Sequence, residues 1–282
     1  MAACRTIHTE QISDAVAQLY VQANRVIPAE MKNAVARAVE VEASPGGRDV
    51  LKLLLDNYAA AETTGLPMCQ DTGLAVVIAE LGQDVHLDGD LQEAIDAGVR
   101  RACTAGYLRA SVVAHPLHRV NTGDDTPAII HLELVPGDRL RLVVLPKGGG
   151  SENASALQML KPSDGAEGVM QFVVDRLSSQ GVNACPPLVI GVGIGSNFEG
   201  CALLAKRALL RPLGQPSPDP EDARIEAELL RRINALGIGP AGYGGTVTAL
   251  AVHVETAPCH IASLPCAVNV QCNAHRRAEV TL

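Results

Sequence analysis

The chain has 282 residues and a net charge of −8, with no long basic run, so nucleic acid is not an expected partner. Apolar residues make up 47% but aromatics only 2%, with no Trp, so Ala, Val, Leu and Ile must pack the core, as close helix-on-sheet layers require. No apolar run reaches about 18 residues, so no membrane span is expected. The start shows no charged-then-apolar leader, which makes a cytoplasmic location the expectation. There, the eight cysteines are expected as buried thiols, metal ligands or reactive thiols rather than disulfides.

The first third reads helical. Thr9 is placed to cap a helix with Ile12, Val16 and Leu19 on one face. Pro28 opens a second, with Met31, Val35 and Val39, and Pro45 a third, with Val50, Leu53, Leu54 and Tyr58. A turn-rich loop, 65–73, leads into an apolar β-like run at 74–81. Asp90 caps a helix running to about residue 108. Strand patterns at 128–135 and 140–145 flank Pro136-Gly137-Asp138-Arg139, which reads as a hairpin turn. After Lys147-Gly148-Gly149-Gly150-Ser151 come helical patterns, a buried strand at 187–194, a helix at about 199–210, and a helix capped by Asp219 with Pro220 at its first position. Strand patterns at 246–255 and 261–270 close the chain. The expectation is one compact mixed α/β (α+β) domain over 1–282, with mixed sheets flanked by helices and a helical N-terminal third.

Four loops carry more glycine and polar residues than turns need: 69–73, 121–126, 147–153 and 239–246. Loops of this kind on a rigid scaffold are where sites form. Three glycines after Lys147 leave backbone N–H groups free to cradle an anion; a plain flexible turn is the alternative. Gly191, Gly193 and Gly195 lack the third glycine of a dinucleotide fingerprint, since position 196 is Ser. Close backbone packing is the preferred reading there. The cysteines include no C-x-x-C pair, so a zinc ribbon is not expected. Cys69, Cys185 and Cys272 each stand beside chain-turning residues, as cluster ligands often do. Spacing alone leaves them open to being buried thiols.

Met68-Cys69-Gln70-Asp71-Thr72-Gly73, Asn121-Thr122-Gly123-Asp124, Leu145-Pro146-Lys147-Gly148-Gly149-Gly150-Ser151-Glu152-Asn153, Gly193-Ile194-Gly195-Ser196-Asn197-Phe198-Glu199, Gly242-Tyr243-Gly244-Gly245-Thr246 and Val270-Gln271-Cys272-Asn273-Ala274-His275-Arg276 resemble, in order, the α subunit of class I fumarate hydratases and L(+)-tartrate dehydratases. The resemblance implies a 4Fe–4S cluster on Cys69, Cys185 and Cys272, with the fourth iron lacking a protein ligand and so able to act as a Lewis acid. It leaves Cys4, Cys103, Cys201, Cys259 and Cys266 as packing thiols. It implies Asp71 and His260 as catalytic, with Asp71 placed for proton transfer. It also implies Gln70, Arg109, Lys147 and the Gly148, Gly149 and Gly150 amides as holders of a dicarboxylate, Arg being suited to bidentate pairing. Arg276 carries a weaker resemblance. The chain stops where single-chain relatives continue, which implies a β subunit carrying the rest of the site and an α–α dimer within α2β2. The expected reaction is hydration of fumarate to L-malate, with L(+)-tartrate dehydration as the alternative. A cluster-free binding or assembly subunit is the competing class.

Overall fold

The structure is a computed structural model that describes residues 4–282. The start read as leaderless falls partly in residues 1–3, outside that range. The elements run β1 (Arg5–Ile7), α1 (Thr9–Arg25), α2 (Ala29–Val41), α3 (Pro45–Thr64), β2 (Leu74–Gly82), β3 (Val85–Leu87), α4 (Leu91–Ala105), β4 (Ile129–Val135), β5 (Leu140–Lys147), α5 (Gly149–Asn153), β6 (Ala156–Leu160), α6 (Gly165–Gln180), β7 (Leu188–Ser196), α7 (Phe198–Ala208), α8 (Pro220–Asn234), β8 (Ala249–Cys259), β9 (Leu264–Gln271) and β10 (Ala278–Thr281). No helix among the described residues is long and apolar enough to cross a membrane. The mixed α/β class and the helical N-terminal third stand as expected.

Within residues 4–282 the chain divides into two compact units. The first holds residues up to Pro28, Asn57–Gly149 and Arg276–Leu282; the second holds Ala29–Asp56 and Gly150–His275. Because the units are interleaved, no composition shift or linker marks the division.

The first unit is built on a sheet of order β10-β5-β2-β4, with a small parallel pair of β1 and β3. Strand period two sends Ala75, Val77 and Ala79 of β2 to one face, where they meet Ile12, Val16, Leu19 and Tyr20 of α1 and Ile95 and Val99 of α4. Helices α1 and α4 approach closely at Gly98, where an added Cβ would stand 2.7 Å from the Ser13 carbonyl oxygen. The caps are local and follow sequence: Asp90 accepts from Glu93 N at 2.8 Å. At α1 the cap is His8, one residue before the expected Thr9.

The expected hairpin does not form. Strand β2 lies between β4 and β5, parallel to the first and antiparallel to the second. The 136–139 turn therefore spans two strand spacings and wraps the end of β2, whose Gly82 N, Gln83 N and Asp84 N donate to Arg139 O, Val135 O and Gly137 O at 2.8–2.9 Å.

The second unit holds a sheet of order β6-β9-β7-β8. Leu188, Ile190 and Val192 face α6 and α8 through Val169, Val173, Leu177, Ile225, Leu229 and Ile233. On β7 the alternate residues Gly191 and Gly193 face α7 instead. A Cβ at either would overlap the Ala205 or Cys201 carbonyl oxygen. Here glycine serves close helix-on-strand packing, the reading preferred over a dinucleotide loop. We expect Gly193→Ala to cost about 2–3 kcal/mol, since it overpacks a contact that backbone cannot vacate. Denaturant unfolding reads this, and a loss under about 0.5 kcal/mol, the scale of a neutral surface change, would contradict the packing account.

Candidate functional site

In the first unit the 69–73 loop is held from several sides. Met68 N donates to Asn24 O (2.9 Å), and Asn57 Nδ2 donates to Met68 O (2.8 Å). Tyr20 OH donates to Gly73 O at 2.6 Å from a fully buried ring. Burial, then the nearby Asp125 carboxylate, pushes the Tyr20 phenol well above its usual range, so it remains a donor at any working pH. Gly73 has φ +76 and lies against β5, where a Cβ would stand 2.7 Å from Lys147 N; only glycine fits that turn.

Asp71 is half-buried, and both its oxygens accept backbone N–H groups. Oδ1 takes Gly73 N at 3.0 Å, and Oδ2 takes Gly149 N at 2.8 Å. The first forms a local turn; the second ties the Cys69 loop to the glycine run. Arg276, 1% exposed, donates through Nη1 to Asp71 O (2.7 Å) and Asn24 Oδ1 (2.8 Å). Cys69 is half-buried and Gln70 exposed on the same loop.

Arg109 is exposed, with its backbone fixed to this loop: Arg109 N donates to Thr72 Oγ1 at 2.9 Å, and Thr72 Oγ1 donates to Arg109 O at 3.3 Å. The 121–126 motif supports that stretch. Asn121 Nδ2 reaches Ala110 O at 2.9 Å, and buried Asp125 accepts Ser111 N. Burial raises the Asp125 carboxyl above its ordinary value.

The glycine run departs from the anion-cradle expectation. Lys147 is the last residue of β5 and is 1% exposed rather than the mobile start of a loop. None of Gly148, Gly149 and Gly150 has a left-handed φ, and Gly149 begins a short helical turn whose first amide is already taken by Asp71. Gly148 is needed for closeness: a Cβ there would stand 3.0 Å from Asp71 Oδ2 and 3.5 Å from Arg276 Nη2. Gly150 falls in the second unit and is exposed.

In the second unit Cys185 and Cys272 lie at one end of the sheet. Cys185 precedes β7, Cys272 follows β9, and these strands are antiparallel with Val189 opposite Gln271. The two loops are joined directly: Asn273 N and Nδ2 both donate to Cys185 O, at 3.1 and 2.9 Å. Cys185 is exposed and has φ +56, unusual for a residue with a Cβ. Such outliers persist where surrounding structure holds them, often at sites. Ala241 N, in the 239–246 glycine loop, donates to Pro186 O at 2.9 Å.

His260 is not part of this group within the chain. It is exposed in the turn between β8 and β9, at the other end of the sheet. The eight residues of β9 separate it from Cys272 by about 26 Å at strand rise. The catalytic role expected for it comes from the family resemblance of its position ahead of Cys272, and the distance along β9 does not bear on contacts made outside this chain. An extended strand makes twelve residues of separation a long distance.

The remaining cysteines divide. Cys103, Cys201 and Cys266 are buried, and burial raises all three thiols, Cys103 to about 11 and Cys266 to about 12. They stay protonated at neutral pH and are packing groups. Cys4 and Cys259, expected with them, are exposed instead.

Among the described residues no three His, Cys, Asp or Glu side chains are gathered to hold a single metal ion. A cluster spaces its thiolates more widely than one ion does, because inorganic sulfide and several irons lie between them. The donor chemistry fits a cluster: thiols placed on loops, and two of those loops locked together by Asn273.

A group that sequence reasoning missed is Glu42, between α2 and α3 and 1% exposed. Its carboxylate accepts Ser44 N (2.8 Å), Thr246 N (2.9 Å) and Val247 N (2.7 Å), together with Thr246 Oγ1 (3.3 Å). It clamps the end of the loop whose Ala241 holds Pro186. Gly245 must be glycine, because a Cβ would overlap Glu42 Oε1. Burial alone would raise this carboxyl, but the hydrogen bonds outweigh it and hold the group below its ordinary value. A lowered folded-state pKa contributes stability above the unfolded value, about 4.3 for Glu. That stability is lost as pH falls through the folded value. We expect Glu42→Gln to cost about 2–3 kcal/mol at pH 7, with the deficit shrinking in acid below about pH 4. Chemical unfolding at several pH values checks this; a deficit that does not change with pH would contradict an ionised clamp.

A sequence model described as Fumarate hydratase (Fumerase) matches residues 13–281. The chain is 42% identical over 275 residues to a putative L(+)-tartrate dehydratase subunit alpha of Methanocaldococcus jannaschii, covering 95% of this chain and 96% of that protein. It is 34% identical to the L(+)-tartrate dehydratase subunit alpha of Escherichia coli strain UTI89, over 96% of this chain and 90% of the relative. It is 33% identical to that of strain K12, with the same coverage. The match runs through both units and takes in every loop described above, and the chain belongs to the fumarate hydratase (Fumerase) family.

Proposed function

We propose that this chain is the α subunit of an iron–sulfur hydro-lyase, with Cys69, Cys185 and Cys272 as the ligands of a 4Fe–4S cluster. The observation that supports this most is the pair of Asn273 hydrogen bonds to Cys185 O, which set two of the three cysteine loops at one end of one sheet. When bound, a cluster with one iron free of protein ligands supplies a Lewis acid for a hydroxyl leaving group. The other requirements fall to this chain. A proton must be moved at the carbon beside the hydroxyl, and the substrate carboxylates must be held.

Asp71 holds the proton-transfer role in this reading. Its carboxylate is oriented by Gly73 N and Gly149 N and needs no reorganisation to act. Arg109 and Gln70 are exposed on segments fixed to the same loop and suit carboxylate binding. Lys147, buried beside that loop, adds positive charge rather than a flexible contact. Gly148 is needed for the close approach of Asp71, Gly149 gives its amide to that carboxylate, and Gly150 is the exposed residue that follows. His260 is proposed for no step at its own chain's cysteines.

Fumarate and L-malate are the proposed substrate pair. The printed names of the relatives favour a second reading, dehydration of L(+)-tartrate to oxaloacetate. The two substrates differ by one hydroxyl. Those relatives are named as alpha subunits, which supports a β partner, and an α2β2 assembly with a cytoplasmic location completes the proposal.

Anaerobic iron–sulfide reconstitution with the β partner, followed by fumarate and tartrate assays, tests the reading. We expect turnover with the partner and little without it, loss of turnover in air, and loss of both turnover and cluster absorption in Cys185→Ser. Full activity in Cys185→Ser would remove that residue from the ligand set, and full activity from this chain alone would sink the split site.

A further inference from the structure

Strand β4 is the outer strand of the first unit's sheet, and no strand among the described residues pairs with its free edge. An exposed edge strand is ordinarily blunted by lysine, proline or a bulge, because its unpaired N–H and C=O groups invite another chain. The sequence Ile129-Ile130-His131-Leu132-Glu133-Leu134-Val135 has none of these. Its register with β2 runs without a break from Ile129 to Val135. Its apolar side chains are also open: Ile129 is 46%, Leu132 53% and Leu134 63% exposed. Proline stands outside each end, at Pro127 and Pro136, where the missing N–H limits any added ladder to the strand itself.

The strand is complementary to itself about its middle residue. In an antiparallel pair of two copies centred on Leu132, each residue faces the one whose number makes the sum 264. His131 then stands opposite Glu133 of the second copy, and Glu133 opposite its His131. On the other face Leu132 meets its own counterpart, and Ile130 meets Leu134. Ile129 meets Val135. Every position finds a partner of matching chemistry: apolar against apolar, and an imidazole against a carboxylate at both places where charge occurs. Directly opposed cross-strand pairs are the unit from which sheets gain stability, and like charges there oppose pairing. A one-residue slip of the register would break both His–Glu pairs and move the apolar contacts to the wrong face.

We propose that β4 is the surface on which a second copy of this chain docks, antiparallel about a two-fold axis through Leu132. The contact joins two four-stranded sheets into one across the dimer. It is isologous, so it closes on itself and consumes both edges. The inference deepens the α2β2 reading and rests on it, but it does not depend on the cluster or the substrate.

Sedimentation and light scattering of the full chain, alone and with its β partner, read the outcome. The wild-type chain alone is expected as a dimer. Leu132→Lys is expected to halve its mass and, with the partner present, to yield αβ in place of α2β2. Because Leu132 is exposed, the variant should keep its circular dichroism. Glu133→Lys is expected to raise the dimer Kd at least tenfold, and His131→Glu/Glu133→Lys to restore it by reversing the charges. Leu132→Cys is expected to form a disulfide to its own counterpart, mapped by peptide mass. A wild-type monomer at tens of micromolar would overturn the proposal, as would an unchanged mass for Leu132→Lys. Loss of the β partner with retention of the α–α contact in Leu132→Lys would overturn it too, since the edge would then belong to the other subunit. If these masses come out as expected while reconstitution yields no hydro-lyase activity, the proposed chemistry fails and the interface stands.

Discussion

The guanidinium of Arg276 is the interaction on which the first unit's site loop depends. It brings the chain's end to its beginning, bonding Asn24, 252 residues away, and the carbonyl of Asp71, 205 residues away. A buried cation is costly unless its donors are met; both bonds from Nη1 go to fixed acceptors, while the buried Nε has no hydrogen-bond partner among the described residues. Asn24 in turn accepts Met68 N through its backbone, so one helix position holds both ends of the Cys69 loop. With that loop fixed, the Asp71 carboxylate is committed to Gly73 and Gly149, and the Arg109 backbone is committed to Thr72. Arg276 thus joins Asn24, Asn57 and Tyr20 in fixing the loop that carries the candidate acid–base group and anchors the Arg109 backbone.

The second unit solves the matching problem with an anion. Glu42 is held by the backbone N–H groups of Ser44, Thr246 and Val247, the arrangement that keeps a buried carboxylate ionised. The glycine loop it clamps reaches Pro186, and the Cys185 carbonyl takes both donors of Asn273. Cys185 is therefore held in a left-handed conformation from two directions. Rigidity of this kind suits the proposed role of Cys185 as a cluster ligand.

Much of this was legible in sequence where the signal is local. Asp90, Ser44-Pro45 and Asp219-Pro220 open their helices because a side-chain oxygen of Asp90, Ser44 or Asp219 takes a backbone N–H within three residues. The glycines at 191 and 193 read as packing because no fingerprint completes them. The failures are long-range. Nothing near Pro136 shows that β2 will insert between β4 and β5, since that pairing is made some 60 residues earlier in the chain. Glu42 reads as an ordinary surface acid after a helix, and its partners lie 204 and 205 residues on. The cysteines were separable by the words around them and then by physics: burial raises the thiols of Cys103, Cys201 and Cys266, while Cys69, Cys185 and Cys272 stand in loops.

The central claim is that three thiols of this chain hold a cluster with one iron left to the substrate. Mössbauer spectroscopy of the subunit pair reconstituted with 57Fe tests it most directly. The account predicts four irons per chain, one of which changes its isomer shift and quadrupole splitting when the dicarboxylate is added while the other three do not. Four irons that ignore the substrate, or a spectrum unaltered when Cys69, Cys185 or Cys272 is replaced by serine, would contradict it.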